Sequence, residues 1–200
     1  MRPKSFSYTF ADLDADGFAV DVTGAINTTA WTTIAGSPDD GCAHQTTLYS
    51  TANLSGITIT VTGTDAEGRT QSEAHAGPNN NTVNLTSYFK TVTSISASAT
   101  LGANTMLCGW TTLCVTPAYP VNRLSGSGPV VSISPANCTL TVQQTASDMV
   151  NTANASVVWQ DLIASGSSAA IGQGKDGITA VRANITVSSP GTLTMEMAQN

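Results

Sequence analysis

The sequence predicts an all-β protein, two antiparallel β-sandwich or barrel-like units joined by a Pro/Gly/Ser-rich linker. Three observations point there: apolar residues recur with a period of two, turn-forming clusters separate the runs that carry them, and helical periodicity is hard to find. Ile57-Thr58-Ile59-Thr60-Val61-Thr62 alternates strictly, as do residues 181–187 (Val-Arg-Ala-Asn-Ile-Thr-Val) and Leu193-Thr194-Met195-Glu196-Met197. Such runs place aliphatic side chains on one face and Thr, Asn or charge on the other, the pattern of half-buried antiparallel strands. Threonine suits the outward face because a β-branched polar side chain fits the pleat and still meets water.

The punctuation follows the same order. Gly63-Thr64-Asp65-Ala66-Glu67-Gly68 and Gly77-Pro78-Asn79-Asn80-Asn81 read as turns, and Ser188-Ser189-Pro190-Gly191, between two alternating runs, reads as a hairpin. Asp148 to Ala155 has material for a single helical turn, and Ala164 to Gly174 reads as loop. Pro117, Pro120 and Pro129 frame a Ser/Gly stretch that cannot continue a central strand. This divides the chain into an N-terminal unit (1–118), a linker (119–129) and a C-terminal unit (130–200). The latter is thin for an independent core, so it is expected to lean on the first unit or on another subunit.

Composition narrows the function. Of 200 residues only 10% are charged, against about 25% in an ordinary soluble chain, while 40% are hydrophobic. Seven Lys+Arg against 13 Asp+Glu give a net charge of −6. A chain polar without being charged is neither an acidic disordered tail nor a basic nucleic-acid binder, so no nucleic-acid partner is expected. No run approaches the roughly 20 apolar residues that cross a bilayer, and no membrane partner is expected. Met1 to Tyr8 carries two positive charges with no apolar stretch behind them, so no secretory signal is expected. The four cysteines (Cys42, Cys108, Cys114, Cys138) contain no CxxC pair and are expected as buried thiols of a reducing cytoplasm.

Chemistry-bearing constellations are sparse. Asp12-Leu13-Asp14-Ala15-Asp16-Gly17 matches the first half of a calcium loop, which makes Asp12, Asp14 and Asp16 candidate metal ligands. The twelfth position is Thr23 instead of a bidentate Glu and no helix flanks the stretch, so it otherwise reads as a solvated acidic turn. His44 and His75 are the two histidines; Glu73 and His75 share a strand face, but a third ligand is not visible. No Gly-x-Ser-x-Gly elbow occurs, and the acids lie mostly in turns (Asp39, Asp40, Asp65, Glu67). Residues 171–177 are glycine-rich but lack the Gly-Lys-Ser/Thr ending of a phosphate loop. No catalytic residue, no cofactor and no enzymatic activity are expected. Trp31, Trp110 and Trp159 are scattered, which favours core packing over a sugar-stacking platform. Phe6, Tyr8 and Phe10 alternate along the first segment and form a candidate assembly interface, a strand that adds to a neighbouring subunit. On that reading, removing Met1 to Phe10 leaves the fold intact and weakens attachment.

A longer pattern carries a resemblance. Residues 56–69 (Gly-Ile-Thr-Ile-Thr-Val-Thr-Gly-Thr-Asp-Ala-Glu-Gly-Arg), then Glu73, Gly77-Pro78 and residues 88–98 (Tyr-Phe-Lys-Thr-Val-Thr-Ser-Ile-Ser-Ala-Ser), resemble a module recurrent in tailed-bacteriophage virion proteins. There a strand, a GTDxxG turn, a Glu-bearing strand, a Gly-Pro turn and an FKTVTSI strand follow in this order. Residues 141–148, Trp159, Asp161, residues 177–186, residues 191–194 and Gln199 are similar to a second, looser phage module; residues 164–175 depart from it into small residues. The resemblance implies a small, β-rich, non-enzymatic virion structural protein, first of all a capsid decoration (cement) protein that stabilises the head by bridging capsomers. It would act as a homo-oligomer, a trimer, on the major capsid protein or other virion proteins, made in the host cytoplasm and located in the particle. A neck or tail ring or adaptor component, and a receptor- or glycan-binding fibre module, are the alternatives.

Overall fold

The computed structural model describes residues 3–23, 36–121, 128–150, 152 and 156–198. These form antiparallel strands throughout, with no α-helix among the described residues. The expected helical turn after Asp148 is one α-turn, closed by Thr152 N–H donating to the Asp148 carbonyl at 2.9 Å. The chain divides into two compact units, one of residues 11–114 and one of residues 1–10 with 115–200. The first ten residues therefore go with the C-terminal segment, whereas a contiguous division places them in 1–118.

Residues 11–114 carry β2 (Asp14–Thr23), β3 (Ala43–Asn53), β4 (Thr58–Thr64), β5 (Thr70–Ala76), β6 (Asn79–Phe89), β7 (Thr91–Ala97) and β8 (Thr105–Val115). One sheet runs β2-β8-β3-β6 and a second β5-β4-β7. The alternation of residues 57–62 works as expected: Ile59 and Val61 are buried and Ile57 packs against the same cluster. That cluster takes Phe18, Leu48, Leu85, Phe89 and Met106 from the first sheet and Ile59, Val61, Val92 and Ile95 from the second. Apolar faces of both sheets thus share one core, the main stabilising term for a unit of this size.

The stretch 88–98, which reads as one strand, is two. It changes sheets at Lys90, whose N–H donates to the Thr64 carbonyl at 2.8 Å. The chain passes here because Gly63 has no side chain; a Cβ on it would sit 1.9 Å from the Thr91 carbonyl oxygen. Gly77-Pro78 makes another sheet-to-sheet passage, with Leu54 N–H on the Pro78 carbonyl and Gly77 N–H on the Ile57 carbonyl, both at 2.8 Å.

The other unit holds β1 (Lys4–Thr9), β9 (Tyr119–Pro120), β10 (Val130–Thr145), β11 (Gln160–Gly166), β12 (Ala170–Gln173) and β13 (Ala180–Ala198). Strand β13 pairs with β10 along its length, and with β1 and β9; β10 also pairs with β11 and β12. Leu193, Met195 and Met197 are buried and Thr194 and Glu196 exposed, as the alternation requires.

Two expectations need correction. Residues 188–191 form no hairpin: β13 continues through them as one strand, and its pairing with β10 slips between Ala136↔Thr192 and Cys138↔Ser188. One residue of β10 there, Asn137, faces three of β13. The result is a bulge, where Pro190 removes no ladder hydrogen bond and Asn137 opposite takes a left-handed φ of 55°. Ala164 to Gly174, read as loop, contains the end of β11 and all of β12, which pairs with Val130–Ile133 of β10. Within the expected linker, Tyr119–Pro120 is a short edge strand on β13, while residues 122–127 lie outside the described residues.

Candidate functional site

The alternating aromatics of the first segment lie on β1, in register with β13 of the same chain: Phe6 opposite Met195 and Tyr8 opposite Leu193. Phe6 packs on Tyr119 with ring centroids 3.7 Å apart, Tyr8 stacks toward Phe10 at 6.2 Å, and Phe10 is 2% exposed. Burial pushes the Tyr119 hydroxyl up to about 12. The aromatic row is thus spent largely on its own chain. What β1 presents outward is Ser5, Ser7 and Thr9 on its exposed face, and among the described residues β13 is its one strand partner.

In the acidic stretch the carboxylates of Asp12 and Asp14 cap nearby backbone. Asp12 accepts the Leu13 N–H at 3.0 Å and Asp14 accepts the Asp16 N–H at 3.2 Å. Asp14 already opens β2, opposite Trp110 of β8. Gly17 is explained by the indole, since a Cβ there would lie 2.3 Å from the Trp110 ring. Trp110 itself is in the core, edge-on to Phe18 at 4.8 Å, with its indole N–H on the Asp12 carbonyl at 2.9 Å. Trp159 is half-buried under the Arg182 guanidinium, 4.0 Å above its ring, and Trp31 lies outside the described residues. Glu73 and His75 share the half-buried face of β5, where Glu73 accepts the N–H groups of Thr86 (2.9 Å) and Ser87 (2.6 Å) and the His75 ring faces the Ala76 carbonyl.

The metal-ligating side chains that the fold does bring together are Asp40, His44 and Cys114, whose ligand atoms all lie within 4.8 Å of one another. His44, near the start of β3, is fully buried, and the Asp40 side chain is 1% exposed. His44 Nδ1 lies 2.8 Å from the Thr111 carbonyl and Nε2 lies 2.8 Å from Asp40 Oδ2. Both ring nitrogens therefore face oxygen atoms, and Nδ1 donates to the Thr111 carbonyl. Asp40 also accepts the N–H groups of Ala11 (2.8 Å, Oδ2) and Cys42 (2.9 Å, Oδ1). Burial alone would raise the Asp40 carboxyl, but the His44 hydrogen bond and charge and the two backbone amides outweigh it and hold it below its ordinary value. Cys114 contributes a buried thiol from β8. The other thiols are buried as expected and none is bridged; burial pushes Cys108 up to about 12, which leaves it a poor nucleophile.

Sequence reasoning counted Asp40 among turn acids and gave His44 no partner. The local signal was the spacing Asp40-x-Cys42-x-His44, but Cys114 arrives from a distant strand. In the other unit, an open cavity of about 320 Å³ has a mainly apolar lining that includes Ala146, Val158 and Ile178, with Gln144, Lys175 and Asp176 at its wall. No known protein family matches the chain, and no curated protein or solved structure matches it.

Proposed function

We propose that this chain is a non-enzymatic structural protein of a tailed-phage virion, a decoration protein that binds the assembled head as a homotrimer and bridges neighbouring capsomers. The observation that carries the reading is the succession of motifs over residues 56–98, together with what each motif residue does. Asp65 of the GTDxxG turn accepts the N–H groups of Glu67 and Arg69 and pairs with the Arg69 side chain at 2.9 Å, which closes the β4–β5 connection. Glu73 reaches across to the backbone of β6, and Gly77-Pro78 carries the chain from one sheet to the other. Asp65, Arg69, Glu73 and Gly77-Pro78 of the module serve to hold pleated surface together, the equipment of a protein that works by covering its neighbours. The core shared by two sheets in residues 11–114 supports a β-sandwich description of that unit.

Partners on this reading are copies of the chain and the major capsid protein, joined by burial of flat, Thr/Asn-rich surfaces. The outer edge of β1 suits strand addition better than its aromatic row, in which Phe6 and Tyr8 are half-buried and Phe10 is buried. The test is quantitative mass spectrometry of purified particles of the phage that encodes the chain. Copy numbers on the scale of the capsomers support decoration, a single ring's complement assigns the chain to the neck or tail instead, and absence from the particle overturns the proposal.

A further inference from the structure

We propose that Asp40, His44 and Cys114 bind a single zinc ion that fastens the turn before β3 to the end of β8. The inference is independent of the virion reading. Its first support is the donor set: one imidazole nitrogen, one thiol and one carboxylate. Hard cations such as Ca²⁺ and Mg²⁺ take oxygen ligands, whereas a mixed N/S/O set suits Zn²⁺. The second is distance. Tetrahedral Zn²⁺, with bonds of about 2.0–2.3 Å, places its ligand atoms roughly 3.2–3.8 Å apart. The His44–Asp40 separation of 2.8 Å and the 4.8 Å limit on the whole group straddle that range, so closure takes side-chain adjustments of about an ångström.

The third support is how His44 is held. Nδ1–H on the Thr111 carbonyl fixes the ring and the tautomer and leaves Nε2 as the ligand atom, the outer contact that metal-bound histidines make. Asp40 is likewise held by two backbone amides and keeps lone pairs on both oxygens. In the metal-free chain the hydrogen bond between His44 Nε2 and Asp40 Oδ2 holds one proton on the line between ring and carboxylate. Zinc displaces that proton and the thiol proton of Cys114, both to solvent, and leaves a fourth position for water. A buried histidine and carboxylate from one turn and a thiol from β8 are costly to gather for packing alone, where aliphatic residues would serve at lower desolvation cost.

The experiment uses the full-length chain, stripped with chelator and titrated with Co²⁺ and then Zn²⁺. The expected result is a thiolate-to-cobalt charge-transfer band that saturates at a single ion per chain, disappears when Zn²⁺ is added, and accompanies a rise in melting temperature with Zn²⁺. Cys114→Ser should abolish the band and weaken Co²⁺ binding by about tenfold or more, while His75→Gln leaves both unchanged. A wild-type chain with no band and no Zn²⁺-dependent shift overturns the proposal, as does a band that persists in Cys114→Ser. Should Cys114→Ser fail to fold, the wild-type titration decides by itself.

Discussion

Asp65 shows how much one side chain can carry in this fold. It is 5% exposed and receives two backbone N–H groups and the Arg69 Nε–H, while Gly68 beside it takes a φ of 80°. Asp65→Ala strands those donors and should cost about 2–3 kcal/mol, read as a lower midpoint in urea. Glu67, whose ion pair with Arg69 lies at the partly exposed rim, should cost about 0.5 kcal/mol or less when replaced by Ala. Glu73 sits in a comparable role. Burial alone would raise its carboxyl, but the Thr86 and Ser87 amides and hydroxyls hold it below its ordinary 4.5. A carboxylate lowered on folding stabilises the native state above its unfolded value and loses that contribution as pH falls through the folded one. Glu73→Gln should therefore be less stable by about 1 kcal/mol at neutral pH, and the wild type should converge on it as the pH drops below 4.5. A difference that persists unchanged in acid would refute this assignment. Asp40 adds to the same acid sensitivity, with the same sign.

Strands in this protein are shaped by their irregularities. Between Gln45↔Tyr88 and Thr47↔Asn84, β3 advances two residues while β6 advances four, so the β6 backbone bulges. The displaced groups are recovered by side chains: Glu73 takes the Thr86 and Ser87 amides, Gln45 donates to the Leu85 carbonyl, and Gln71 donates to that of Tyr88. At the β4–β7 boundary Gly63→Ala would drive a methyl into the Thr91 carbonyl, and should cost about 1–3 kcal/mol or prevent folding; a melting temperature equal to wild type would refute the close approach. For β1, Phe10→Ala removes a buried ring and should cost about 3 kcal/mol. The β13 amides opposite β1 should then lose hydrogen-exchange protection first. Removal of Met1 to Phe10 is consequently no neutral truncation, because it uncovers the edge of β13. Alternation made the strands legible, whereas Pro190-Gly191 was misread because the same residues serve a hairpin or a bulge. The choice lay with Asn137 on the partner strand.

Over the whole chain, pairing is long-range. Strand β13 is met by β1 from the opposite end of the sequence and by β10 across residues 146–179. Loop closure must precede such contacts, so refolding from urea, followed by tryptophan fluorescence, should take on the order of milliseconds to seconds rather than microseconds. Mutations in β1, whose partner is most remote, should chiefly accelerate unfolding.

The sequence by itself determined the all-β class, the buried parity of residues 57–61 and 193–197, and the turn at Asp65, because each depends on neighbours a few positions apart. Tertiary structure alone decided that β1 belongs with β13, that residues 88–98 change sheets, and that Asp40, His44 and Cys114 meet. These are juxtapositions between distant segments, set by how strands pair and stack, and local spacing holds no record of them.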